Sequence, residues 1–167
     1  EFEYYPCPGV MRVGHEIVRV GADLVLGTHP HVQQPCETIF VNGYENRLPE
    51  QSREIAKVHS MLTAEGPPRK AIIAYSMGNL ATTMFTFECK IGWIVSLQLF
   101  RDSNGRIDWK PDASEFVVNV PRLGRRRERR LLMLDDYRRQ TESHRRVPRW
   151  EEDYFAFLSE HVMGASE

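Results

Sequence analysis

The chain has 167 residues, 41% apolar and 27% charged, with a formal net charge of −1. That is enough apolar material for one domain with a core, and it excludes disorder over most of the length. No apolar run approaches the ~18 residues needed to span a bilayer, and EFEYYPCPGV lacks the basic-then-apolar pattern of a signal peptide.

Residues 9–21, GVMRVGHEIVRVG, place Val10, Val13, Ile17 and Val20 at helical spacing and end on Gly21, which predicts a helix with an apolar stripe. The run ADLVL at 22–26 has the composition of a buried parallel strand, and helix followed by strand is half of an α/β unit. GTHPHVQQPCE, at 27–37, is broken at Pro30 and Pro35 and reads as a loop leaving the strand's C-terminal end. Open α/β sheets bind ligands at that end. Residues 41–70 show no evident chemistry, with a weak helix predicted over 51–62 and a turn at Gly66-Pro67-Pro68.

KAIIAY at 70–75 reads as a second buried strand. It runs into Ser76-Met77-Gly78-Asn79, where the glycine permits a left-handed backbone. From Cys89 the pattern alternates, with Trp93, Val95, Leu97 and Leu99 on one side, a turn at 102–105 and a returning strand at 106–109: a β-hairpin. A further strand follows at 115–120, then a basic helix over 122–139 with Leu131, Leu132 and Leu134 as apolar anchors. A last helix is predicted over 150–163, burying Tyr154, Phe155, Leu158 and Val162.

Charge is unevenly distributed. Residues 121–149 carry 11 arginines against four acids, and the last eighteen residues turn acidic. An arginine-rich stretch of this kind is a polyanion surface or a solvated helix paired with nearby acids; without interleaved aromatics it does not read as a nucleic-acid binder. Cys7, Cys36 and Cys89 are odd in number and widely spaced, implying neither a disulfide framework nor a zinc knuckle.

His29-Pro30-His31 is the sharpest chemical signal. In an extended segment residues i and i+2 point the same way, so two imidazoles could reach one metal ion or a close pair of them. Two polar loop histidines with no ligand is the plainer reading. His15 within the first helix, His59 in the indistinct 41–70 stretch, and His144 and His161, which have no partner at ligand spacing, all read as structural or solvated.

Glu1-Phe2 with Pro6, then GADLVLGTHPHVQQPCE at 21–37, then IIAYSMGNL at 72–80, together resemble the CapA family of capsule and poly-gamma-glutamate biosynthesis. That family is related to the calcineurin-like metallophosphoesterases. The resemblance runs over about residues 1–120. It implies an α/β fold, the C-terminal part of a layered metallophosphatase-type sandwich over 1–121, with residues 122–167 as an added basic then acidic helical tail. It further implies that His29 and His31 are metal ligands, with His31 also the catalytic residue, that the cofactor is a divalent metal ion (Mn, Zn or Fe), and that Ser76, Asn79, Glu37 and Glu1 lie on the substrate side.

Three departures stand out: Leu80 and Met77 replace the family's phenylalanine and leucine, 41–69 is longer than the family's connection, and the early Gly-Asp, Asn-Leu-Glu, Asn-Asn-His and His-Trp-Gly strings are missing. The expectation is therefore a partial dinuclear site, on a chain that continues upstream of Glu1 and is itself inactive. A metal-dependent hydrolase of capsule synthesis is the leading reading. The second is a non-catalytic component holding an anionic polymer such as poly-gamma-glutamate, or other capsule-synthesis proteins, through Arg125, Arg126 and Arg127. The family's frequent N-terminal anchor points to the cell envelope, while the sequence itself leaves the compartment open.

Overall fold

A computed structural model describes residues 2–48, 60–103, 105–112, 114–121, 129–142 and 148–163. At its centre is a four-stranded sheet formed by β1 (Leu24–Leu26), β2 (Gln33–Val41), β3 (Ser60–Leu62) and β4 (Arg69–Met77), in the order β1-β4-β2-β3. β1 lies parallel to β4 and β3 parallel to β2, whereas β2 and β4 are antiparallel over their whole length. β4 is the spine: Ala71 to Ser76 are all buried, as the near-continuous apolar run predicts for a strand covered on both faces. The α/β class expected from the sequence is observed.

Helix α1 (Pro8–Arg19) starts with proline in its first turn, where the missing N–H is no loss, and packs on one face of this sheet. The stripe it buries is not the expected one. Gly14 and Val18 are buried and Met11 packs beside them, while Val10, Val13, Ile17 and Val20 are 40–85% exposed. Met11, Gly14 and Val18 form a rival helical stripe, and the absent side chain of Gly14 lets the helix rest on Ile73 and Tyr75. β1 also departs from the buried strand expected. Among the described residues it is an edge strand with one neighbour, and Leu24 and Leu26 stay about half exposed.

Two further corrections concern the loops. The segment 27–37 is a loop only as far as Val32; from Gln33 onward it is β2. Pro35 is tolerated because, among the described residues, β3 pairs only with Ile39 to Val41 and the first half of β2 has a neighbour on one side only. Of the helix expected over 51–62, residues 51–59 lie outside the described residues and Ser60–Leu62 is β3.

The opposite face of the sheet is covered by a second sheet and the C-terminal helices. β5 (Ile91–Ile94), β8 (Glu115–Pro121) and β9 (Arg129–Met133) pair antiparallel in the order β5-β8-β9. Ala74 of β4 meets Ile91, Phe116 and Val118 of this sheet, together with Tyr154, Phe155 and Leu158. Those last residues come from α3 (Arg149–Phe157) and the wider π-turn Leu158–Met163 that continues it. The expected stripe is therefore found at Tyr154, Phe155 and Leu158; the side chain of Val162 lies outside the described residues.

The alternation beginning at Cys89 splits between two sheets. Trp93 on β5 is 5% exposed, whereas Leu99 on β6 (Leu97–Arg101) is 72% exposed. β6 and β7 (Ile107–Pro111) form the expected hairpin, whose turn Asp102 closes by accepting the Arg106 N–H through Oδ1. The basic helix over 122–139 is corrected as well. Residues 122–128, with Arg125, Arg126 and Arg127, lie outside the described residues; Arg129–Met133 is a strand, and only Leu134–Glu142 is helical (α2). The open edge of β8 offers backbone partners that outweigh local helix propensity at 129–133. Among the described residues no helix is long and apolar enough to cross a membrane.

Candidate functional site

The site begins where β1 ends. Gly27 donates its N–H to the Ala74 carbonyl at 2.7 Å, and a Cβ at this position would stand 2.0 Å from the Tyr75 carbonyl oxygen. Only glycine lets the strand end lie this close to β4. The chain then bends away through residues 29–32. His29 has φ 100° and His31 φ 67°, so the loop is not the extended segment expected for H-x-H. The two rings still lie close, with centroids 6.0 Å apart and planes at 43°.

A positive φ at a non-glycine residue costs on the order of 1–3 kcal/mol and persists only where surroundings impose it. Two contacts hold the loop. Phe2 donates its N–H to the Pro30 carbonyl at 3.0 Å, with its ring 6.2 Å from that of His31. Asn79 supplies the second. Its Nδ2 donates to the carbonyls of His31 (3.1 Å) and Cys89 (2.9 Å), which fixes Oδ1 as the acceptor that faces His31 Nδ1 at 3.0 Å. A proton is thereby assigned to His31 Nδ1, and the tautomer this geometry selects is the one whose lone pair stands on Nε2.

Asn79 is itself held. Gly78 has φ 66°, and a Cβ there would stand 1.9 Å from Gln33 Nε2 and 2.6 Å from the Ile91 carbonyl. Gln33, fully buried, donates to that carbonyl at 2.5 Å and accepts the Tyr154 hydroxyl at 2.5 Å. Asn119, 2% exposed on β8, shares its amide protons among the carbonyls of Asn79, Leu80 and Lys90. Sequence reasoning missed Gln33 and Asn119. A lone polar residue within the otherwise apolar run FVVNV was the available signal for Asn119.

The remaining expected residues stand apart from the histidine pair. Glu37 lies within β2 and gathers hydrogen bonds from three elements. His15 Nε2 of α1 is 3.0 Å away, and the hydroxyls of Ser60 on β3 and Tyr75 on β4 both donate to it. Burial raises the Glu37 pKa, but the hydrogen bonds from Ser60, Tyr75 and His15 outweigh it and hold the carboxyl below its ordinary range. Burial, followed by the hydrogen bond to Glu37 and then its charge, pushes the Tyr75 phenol well up. Ser76 is fully buried, with Oγ accepting the Gly78 N–H at 3.3 Å. Glu1 lies outside the described residues, as do His59 and His144.

An apolar cavity of about 520 Å³, lined by Phe2, Tyr4, Val32, Met84 and Phe85, adjoins the loop. His29 is exposed and His31 half-buried. Among the described residues no three His, Cys, Asp or Glu side chains come together to hold a metal ion. Catalytic zinc sites use three protein ligands and dinuclear centres more. Two neighbouring imidazoles do not by themselves make up such a centre.

Residues 1–84 match the family described as "Bacterial capsule synthesis protein PGA_cap". The chain belongs to that family. The matched part of this capsule synthesis protein holds both histidines, Glu37, Ser76 and Asn79, and it ends before β5. Residues 85–120, which the resemblance had included, fall outside the match. Comparison with curated proteins and with solved structures gives no match.

Proposed function

We propose that this capsule synthesis protein is a metal-dependent hydrolase of the metallophosphatase type, to whose centre this chain contributes His29 and His31. The carrying observation is the clamp of Asn79 on His31. Metal-binding histidines commonly give their second ring N–H to an acceptor that sets tautomer and orientation, and Asn79 Oδ1 stands in that position. The cost of two positive-φ histidines on one loop supports the same reading, since such strain gathers at functional sites.

A complete centre would need donors besides these two imidazoles, which the described residues do not bring together. His29 and His31 would hold a divalent ion, Mn, Zn or Fe, which when bound would supply Lewis acidity toward an oxygen of the substrate. His31 presents the Nε2 lone pair; Asn79 keeps the proton on Nδ1; Gly27 and Gly78 bring the two loops together. The substrate class is a phosphoester or an anionic polymer such as poly-gamma-glutamate.

The test compares the full-length protein with a His29→Ala/His31→Ala variant. Bound metal is measured by mass spectrometry, and turnover on phosphoesters and poly-gamma-glutamate with Mn2+ or Zn2+. Loss of metal and of turnover in the variant is expected. Equal metal content and equal turnover in both would end the proposal.

A further inference from the structure

β4 spans nine residues, so its two ends stand roughly 26 Å apart, and the end remote from the histidine loop carries a second, differently built cavity. Its volume is about 410 Å³. It opens where the β6–β7 hairpin folds against the start of β4 and the short helical turn Tyr44–Arg47. Tyr44 and Trp109, both buried, line it. Lys70 lies between them, Nζ 4.8 Å from the Trp109 ring centre and 5.8 Å from that of Tyr44.

The acids of this cavity are already engaged. Asp108 accepts the Tyr44 hydroxyl at 2.6 Å and pairs with Lys70 at 3.6 Å; Asp23 pairs with Arg69 at 2.7 Å; Asp102 accepts the Arg106 backbone N–H at 2.9 Å. Burial, only partly offset by Asp108, holds the Lys70 pKa below its ordinary value. Four cationic side chains thus line the cavity with three acids, and the guanidinium groups of Arg47 and Arg106 have no carboxylate partner among the described residues. Arg47 lies over the Tyr44 ring at 5.8 Å. Guanidinium forks recognise planar oxyanions, and the exposed side chain of Ile107 beside Trp109 offers apolar contact to whatever carries one.

We propose that this cavity binds an organic oxyanion, a carboxylate or phosphate group on an apolar body, with Arg47 and Arg106 taking the anion and Ile107 and Trp109 the body. The site is independent of the histidine pair and does not rest on the metal reading.

Calorimetric titration of the full chain with phenylacetate and phenyl phosphate, beside acetate and inorganic phosphate, tests it. Saturable binding of at least one aryl anion, tighter than its bare counterpart, is expected, and the aryl anion preferred tells carboxylate from phosphate. Arg47→Ala/Arg106→Ala should weaken that binding about tenfold or more, the loss expected for charge-assisted hydrogen bonds. His29→Ala/His31→Ala should leave it unchanged. The indole N–H resonance of Trp109 should move during the titration, which reports occupancy without any substitution. Absence of saturable binding would overturn the proposal, as would equal affinity for bare and aryl anions, an unaltered arginine variant, or a Trp109 resonance that stays still at saturation.

Discussion

Replacing Asn79 by alanine removes four hydrogen bonds at once: the acceptor of His31 Nδ1–H and the donors to the His31 and Cys89 carbonyls, all between 2.9 and 3.1 Å, and a longer, weaker one to Met84 Sδ at 3.8 Å. A neutral intramolecular hydrogen bond contributes about 0.5–1.5 kcal/mol net. Asn79 is half-buried, so water replaces part of what is lost, and the expected loss of stability is about 2–3 kcal/mol. Urea denaturation measures it as a lower midpoint at unchanged slope. The more specific readout is nitrogen NMR of the imidazoles. In the native protein the neutral His31 ring should be protonated at Nδ1; in Asn79→Ala it should relax toward the usual mixture of tautomers. An Nε2–H tautomer in the native protein would refute the clamp. So would Asn79→Ala that costs under about 0.5 kcal/mol and leaves the His31 tautomer as it was.

Gly27→Ala should be severe, at least about 3 kcal/mol, because the new Cβ meets the Tyr75 carbonyl oxygen at 2.0 Å and backbone must shift; an unchanged urea midpoint would contradict the close approach. Glu37, whose folded pKa lies below its unfolded value, contributes stability that is present above the unfolded pKa and is lost as pH falls through the folded one. Denaturation at a series of acid pH values should show this slope in the native protein and a shallower one in Glu37→Gln; equal slopes would assign it to other groups. Val18→Ala, at a fully buried position, should cost about 1.5–3 kcal/mol, whereas Val13→Ala, 59% exposed, should stay within about 0.5 kcal/mol. Reversal of that order would mean that α1 is seated on its other face. Burial pushes the Cys36 thiol up to about 11, so alkylation at pH 8 should label exposed Cys7 well before Cys36, and equal rates by mass spectrometry would count against it.

Much of the site was legible before any coordinates. Composition alone marked KAIIAY as a covered strand, because the five residues after Lys70 are apolar or aromatic and leave no face for water. The glycines at 27 and 78 and the H-P-H string located both loops by local signals, and the matched family covers the same stretch. The errors share one cause. Helix α1 carries two apolar stripes, and a window of twenty residues cannot say which one a sheet will cover. The strand at 129–133 exists because β8 presents an open edge, which is no property of RRLLM itself.

From its own order of residues the chain settled the covered strand at 70–75, the hairpin turn at 102–105 and the imidazoles beside a strand end, since periodicity and backbone freedom act over a few neighbours. Tertiary structure alone decided the partners. His31 and Asn79 are 48 positions apart and Tyr154 and Gln33 are 121 apart, so what fixes the tautomer of one ring and the seat of the other loop is the packing of two sheets. Pairings at that separation depend on the whole folded chain and leave no local pattern to read.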